Sequence, residues 1–450
     1  MIAAARVAVL EALTAVTANR CDLPSAIAQA RRPLADPRDR GLVTEIATGV
    51  QRARGTLDYL IQHFARRATD RLDPEVLEIL RLSAYQLLHL TRVPAAAVVD
   101  EAVKLTRHVR KASAAGLVNA VLRTISRSRH ALPLPPRPVD VANREAAVAY
   151  LSVTLSHPQW LVERWLDRLG FERTEHWLIF NNQPPPLTLR ANTLRTTASG
   201  LRARLRDAGI AATPGRYAPD ALVLDDRQSL AELAALTGDF VAQDEASQLV
   251  PLLAGPQPGR CVLDTCAAPG GKTTALAAAA PGGLVVACDV RARRMRLLRQ
   301  TVEVTAARNV RLVQADLRSA PPFNRLFDCV VVDAPCSGLG VLRREPDIKW
   351  RRQESDLHAY AEQQFALLTH AAQAVASGGR LVYATCSSEA LENEEVAQRF
   401  ATAAPSFRHV DARRCHPALP SDVVDESGNL RTMPDRHRLE AFFGTVFERL

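Results

Sequence analysis

DTCAAPGGKTT, Asp264 to Thr274, is the stretch on which the reading of this chain turns. The apolar run Cys261-Val262-Leu263 before it reads as a short buried strand. The alanine-rich run Ala275 to Ala280 after it starts a helix. Strand, tight Gly-containing turn and helix together are how an open α/β sheet presents backbone N–H groups to a ligand. Pro269, Gly270 and Gly271 let the backbone turn sharply and approach what is bound.

Two ligand classes compete for such a turn. GGKT resembles a phosphate-binding loop of pattern G-x-x-x-x-G-K-[ST], but the first required glycine falls on Cys266, where the loop would wrap phosphate. An S-adenosylmethionine site instead needs an acid at the end of the next strand to hold the ribose hydroxyls. GLVVAC, Gly283 to Cys288, is that strand, and Asp289 ends it. The methyl-donor reading is the better one.

Downstream the pattern repeats. VRLVQAD puts Asp316 at the end of a third strand, and FDCVVVDAP puts Asp333 at the end of a fourth. Successive strand-terminal carboxylates line the carboxyl edge where open α/β sheets bind ligands. A nucleotide-hydrolysis reading could claim VVVDAP for metal, yet it leaves Asp289 and Asp316 without a role. Pro335-Cys336-Ser337-Gly338 follows Asp333, and a fifth strand, GGRLVYATCSS, ends in Thr385-Cys386-Ser387. Two cysteines therefore follow two strands that could be neighbours. Carbon 5 of a pyrimidine is a poor nucleophile until a thiolate adds to C6, and a second group must then help remove the C5 proton. A cysteine pair at one sheet edge suits that chemistry, whereas either cysteine alone would read as buried packing.

The rest of the chain bounds this reading. At 450 residues, 47% hydrophobic and 23% charged, two or three soluble domains are expected. No run of 18 apolar residues exists, so the expectation is a cytoplasmic protein with no membrane partner. The eight cysteines contain no C-x-x-C pair and form no evident disulfide framework. Of the net charge of +9, residues 1–130 supply +8, from 20 Lys/Arg against 12 Asp/Glu. Such a balance suits nucleic acid, though a solvated helix surface would look similar.

Residues 1–130 read as all-helical. Asp73-Pro74-Glu75 is a helix start with a capping Asp, and Val76, Ile79, Leu80, Ser83, Leu87 and Leu90 keep a 3.6-residue stripe to Val93-Pro94. Residues 131–148, opening with the Pro-rich ALPLPPRPVD, are assigned as a linker. Residues 149–240 are assigned as a small α/β subdomain. It holds a helix over Leu155–Gly170, strands LTLRAN and DALVLD, and a basic edge of Arg190, Arg195, Arg202, Arg204 and Arg206 that could lie along RNA, though arginines exposed on a helix commonly only solvate it. His157 reads as structural. Residues 241–450 form the catalytic domain. Only four of 57 basic residues are lysines, and Lys272 and Lys349 fall inside motifs, which suggests a compact ammonium is needed there.

Resemblances sharpen these expectations. DRGLVTEIATGVQRARGTLD, LRLSAYQLLHLTRVPAAAVVDEAV and AAGLVNAVLR are similar to the NusB-type RNA-binding helical domain. DTCAAPGGKTT, DAPCSGLG, EPDIKW and YATCS together resemble the RNA 5-cytosine methyltransferases of the RsmB/Sun (Fmu) branch, which modify small-subunit ribosomal RNA. The resemblance implies a multidomain chain: an all-α NusB-like bundle, a small α/β subdomain and a Rossmann-like S-adenosylmethionine-dependent methyltransferase domain. It implies Cys386 as nucleophile and Cys336 as the group assisting release. Cys266, Ala267, Ala268, Pro269, Gly270, Gly271 and Lys272 would hold the methionine and ribose part of S-adenosylmethionine. Asp289 would bind ribose, Asp316 the adenine side, and Asp333 the reactive end. No metal is expected. The partner would be naked or early small-subunit ribosomal RNA, acted on by a monomer. One departure is Glu440-Ala441 before Phe442-Phe443, where the family carries Asp-Gly; no catalytic residue is expected there. The competing functions are an RNA-binding assembly factor on a relic fold and an RNA-dependent NTPase.

Overall fold

Apolar residues three and four apart make the first part of the chain helical. The helix Pro74–His89 buries Val76, Ile79, Leu80, Ser83 and Leu87, and helices Ala95–His108 and Ala115–Ser128 follow it. Asp73 starts the first of these but makes no side-chain cap bond; its carboxylate lies 3.1 Å from the Lys111 ammonium instead. The stripes of these helices meet those of Ala4–Thr17, Leu23–Arg31 and Pro37–Ala65 in one core that includes Leu13, Ile46, Leu57, Leu80 and Leu122.

The computed structural model describes residues 2–225, 233–255, 258–319, 321–323 and 326–450. Residues 226–232 of the expected small α/β subdomain lie outside the described residues. The chain forms two compact units: Met1–Pro184 with Leu342–Gln353, and Pro185–Val341 with Glu354–Leu450.

The first unit holds more than the expected bundle. Residues 149–182, read from sequence as the start of an α/β subdomain, are helical, with helices Gln159–Leu169 and Phe171–Asn182 packed around Trp165 and Trp177. His157 is buried there, its Nδ1 bonded to the Leu155 carbonyl at 2.7 Å. Burial and the nearby Lys349 hold it well below the ordinary histidine pKa. The segment Leu342–Gln353, carrying EPDIKW, is built into the same unit. Lys349 is 1% exposed and donates to the carbonyls of Ser156 (2.6 Å) and Arg52 (3.0 Å), and Trp350 Nε1 donates to Gln51 O. The compact ammonium read into this motif is thus a buried tie between backbone carbonyls.

The second unit carries two sheets among its described residues. Strands β1 (Thr188–Ala191), β2 (Ala212–Pro214), β3 (Ala221–Leu224) and β4 (Phe240–Ala242) form an antiparallel sheet in the order β2-β3-β1-β4. It packs on the helix Ala198–Asp207 through Leu189, Leu201, Leu205 and Leu222. The larger sheet contains β5 (Cys261–Asp264), β6 (Leu284–Asp289), β7 (Val310–Gln314), β8 (Phe327–Asp333), β9 (Val375–Thr385), β10 (Phe407–Val410), β11 (Leu430–Thr432) and β12 (Phe442–Arg449). Their order is β10-β12-β9-β8-β5-β6-β7, with β11 also on β12. From β7 to β9 the pairing is parallel; β12 turns antiparallel against β9. Alternate residues fill two cores: Val262, Val285 and Val331 on one face, Leu263, Val286 and Val330 on the other. The chain is therefore multidomain as expected: an all-α bundle, a small α/β part and a Rossmann-like α/β domain. No helix among the described residues is long and apolar enough to cross a membrane.

Candidate active site

The parallel strands set the site. β8 pairs with β9 in register Asp333↔Ala384, so the residues leaving both strands emerge side by side. This brings together the two cysteines that sequence reading had singled out: Cys336 Sγ lies 3.2 Å from Cys386 Sγ. The hydrogen bond to Cys386, and then burial, raise the Cys336 thiol well above its ordinary pKa. Of the other cysteines, Cys288 and Cys329 are buried in strands and pushed up to about 12 by desolvation, which is the inert packing role.

Three backbone segments close around the pair. Gly340 N donates to the Cys386 carbonyl at 2.9 Å, and Ala441 N donates to the Gly340 carbonyl at 3.0 Å. A Cβ at Gly340 would stand 2.1 Å from the Ala441 oxygen and 2.7 Å from that of Cys386, so the seam requires glycine. Glu440 and Ala441 are buried, and the Phe442 ring lies 5.6 Å from the Lys272 ammonium. The departure from Asp-Gly therefore sits beside the site.

The loop after β5 forms the second wall. Thr265 N bonds to Val331 O and Ala267 N to Cys288 O, which threads the loop between the neighbouring strands. The Ala268-Pro269 peptide is cis, and Gly270 adopts φ +107°, a left-handed conformation open to glycine. The helix Gly271–Ala279 starts there and points its N-terminus at the strand edge. Cys266 is desolvated, which raises its thiol pKa. Lys272 Nζ lies 2.6 Å from Asp333 Oδ2. Burial opposes its charge, but Asp333, with help from Cys386 and Asp264, holds its pKa above the ordinary lysine value.

The acids differ in setting. Asp289 ends β6, is 4% exposed, and accepts from Arg291 N at 3.1 Å. Asp316 lies two residues beyond the end of β7 rather than at it, and its largely exposed carboxylate pairs with Arg318 at 2.6 Å, which lowers its pKa. Asp264, not singled out from sequence as a ligand, is 1% exposed. Its Oδ2 accepts from Thr273 and its Oδ1 has no partner. Burial raises its pKa to about 7. An orphaned buried carboxyl oxygen beside a glycine-lined turn fits a polar ligand with a donor to give.

Arg190, read from sequence as part of an RNA-facing edge, is instead 4% exposed. It donates to Gly271 O and to Thr274 Oγ1 at 2.7 Å, tying the small sheet to the helix that follows the loop after β5; nothing in its spacing marked it as inward. Glu392 was also missed. It is fully buried and bonded to residues next to both cysteines.

Residues 251–448 match the family model 16S rRNA methyltransferase RsmB/F, residues 3–127 the NusB family, and residues 157–231 the RsmF/B-like ferredoxin-like domain. The probable ribosomal RNA small subunit methyltransferase B of Bacillus subtilis is 33% identical over 90% of this chain and 89% of its own. The ribosomal RNA small subunit methyltransferase B of Pseudomonas putida is 35% identical over 90% and 91%. The crystal structure of PH0851 superposes with a TM-score of 0.82 at 25% identity, covering 100% of this chain and 99% of that one. With this architecture, this edge geometry and these relatives, the chain belongs to the RsmB/F family of 16S rRNA methyltransferases.

Proposed function

We propose that the protein transfers a methyl group from S-adenosylmethionine to carbon 5 of a cytosine in small-subunit ribosomal RNA, through a covalent bond between Cys386 and the base. The observation that carries this is the pair of sulfurs 3.2 Å apart at the edge that also holds Lys272 and Asp333. When bound, S-adenosylmethionine supplies an electrophilic methyl group on a sulfonium. Cys266 to Lys272 and Asp289 would cradle it, with Asp316 at its adenine side and the orphaned Asp264 oxygen taking a donor.

In this reading the Cys386 thiolate attacks C6 of the flipped base, forming an S–C6 bond and leaving an electron-rich C5=C4 enamine. After methylation of C5, the Cys336 thiol first gives up its own proton to solvent, and the resulting thiolate takes the C5 proton and becomes a thiol again. The C5–H electrons re-form the C5=C6 bond and expel Cys386 as thiolate. Asp333, held by Lys272, faces the base and its amino group. No metal has a part. The helical domain and the small sheet would hold the RNA. The substrate is naked or early-subunit RNA, the working form a cytoplasmic monomer.

The test is methylation of small-subunit RNA with labelled S-adenosylmethionine, read by bisulfite sequencing. The account expects one protected cytosine per site. Label on a ribose or an exocyclic nitrogen, with every cytosine converted, would contradict it. Calorimetry with ATP and S-adenosylmethionine separates this reading from an NTPase.

A further inference from the structure

Glu392 lies in the short turn Ala390–Glu392 between β9 and the helix Glu394–Ala403, and none of its surface reaches solvent. Its Oε1 accepts from the backbone N of Ser337 at 2.8 Å and from Gln364 Nε2 at 3.0 Å. Its Oε2 accepts from the hydroxyls of Ser337 and Ser387, both at 2.5 Å. Ser337 follows Cys336, and Ser387 follows Cys386. One carboxyl group thus grips the neighbour of each sulfur, and the two serine oxygens stand 3.2 Å apart. Gln364 also donates to Pro335 O at 3.0 Å, which fixes the residue on the other side of Cys336. The Tyr383 hydroxyl, on β9, reaches the Glu392 carbonyl at 2.5 Å and Gln364 Oε1 at 3.2 Å. Asn393 continues the lattice, donating to Ser387 O and accepting from Thr385 Oγ1.

We infer that Glu392 is a positioning residue that locks the loops after β8 and β9 together and so sets the separation of the Cys336 and Cys386 sulfurs. A carboxyl group suits this place because two oxygens with spare lone pairs can take four donors; an amide would turn two of its own hydrogens toward the serine hydroxyls. A buried group so fully engaged holds its neighbours rigidly, which is what two thiols acting in turn on one base require. Its link to catalysis rests on the proposed roles of the two cysteines; its effect on the sulfur separation does not.

The test uses the full chain as wild type, Glu392→Gln, and the double variant Ser337→Ala/Ser387→Ala. Diamide takes up the two electrons and two protons released when the thiols close to a disulfide, so the rate of Cys336–Cys386 cross-linking, read by peptide mass, reports their approach. Single-turnover methylation, KM for RNA and S-adenosylmethionine affinity are measured alongside. The clamp predicts that cross-linking and the methylation rate constant both fall by about tenfold or more in Glu392→Gln. KM and cofactor affinity should stay within about twofold. The serine variant should move the same way, and it decides the matter if Glu392→Gln does not fold. Unchanged cross-linking in either folded variant would overturn the inference. If neither Cys336→Ala nor Cys386→Ala traps an RNA adduct while wild-type cross-linking still depends on Glu392, the covalent mechanism fails and the clamp stands.

Discussion

Lys272 Nζ stands 2.6 Å from Asp333 Oδ2, with both side chains largely withdrawn from solvent. The pair joins the start of the helix after the β5 loop to the end of β8, the strand that leads into Cys336. Lys272→Met would leave Asp333 without its cation and close to the buried Asp264. Removing one partner of a largely buried pair should cost roughly 3 kcal/mol in stability and lower methylation at least about tenfold. Denaturant melts and steady-state rates check this; a folded variant with full activity would show that the ammonium has no part in the site.

Asp289→Ala should weaken S-adenosylmethionine binding and leave RNA affinity nearly unchanged. The acid ends β6, is buried, and is oriented by the Arg291 backbone N–H. Loss of charge-assisted hydrogen bonds to ribose should cost roughly 1.5–3 kcal/mol, about ten- to a hundredfold in affinity. Calorimetry on the folded variant decides it, and unchanged affinity removes the assignment.

Asp264 makes stability depend on pH. Its carboxyl is raised from 3.8 to about 7, first by burial. An acid whose folded pKa lies above its unfolded value releases its proton more readily on unfolding. The fold is therefore relatively favoured below pH 4, loses that advantage as pH rises to about 7, and carries the full penalty above it. Asp264→Asn, which cannot ionise, should gain stability over wild type between pH 5 and pH 8, on the order of a few kcal/mol across the window. Urea melts at the two pH values measure this; a difference that does not change with pH would place Asp264 elsewhere in the electrostatics of the loop.

The edge chemistry was more legible than its support. Cys336 and Cys386 could be paired from sequence because strand ends in a parallel sheet are local features, and each cysteine lies within three residues of the end of a strongly apolar strand. Glu392 could not be seen. In LENEE it looks like one of several solvated acids at a helix start, and only tertiary packing brings Ser337, Gln364 and Ser387 around it and buries it. Arg190 failed for the same reason: an arginine in a strand reads as exposed until the Gly271 and Thr274 oxygens are found behind it. Lys349 sits in a motif of the catalytic half, yet its acceptors are carbonyls of residues 52 and 156, a distance in sequence that no local pattern encodes.

Residues 1–130, expressed alone, should fold as a helical bundle and bind RNA weakly, with affinity falling as salt rises. The +8 balance is the source, through release of counterions from phosphate. The fragment lacks Lys349 and Trp350, which bond to the carbonyls of Arg52 and Gln51, so it should melt below the full chain. Filter binding at two salt concentrations tests the first claim. Absence of binding at low salt would contradict an RNA-binding role for this domain.

In the proposed mechanism the two sulfurs, 3.2 Å apart, divide the labour. If Cys386 attacks C6 and Cys336 serves only release, Cys336→Ala should form the bond to RNA and fail to resolve it. Incubated with RNA and S-adenosylmethionine and run on a denaturing gel, Cys336→Ala should accumulate a protein–RNA band, and Cys386→Ala should show neither band nor methylation. A trapped band in Cys386→Ala with none in Cys336→Ala would contradict the assignment.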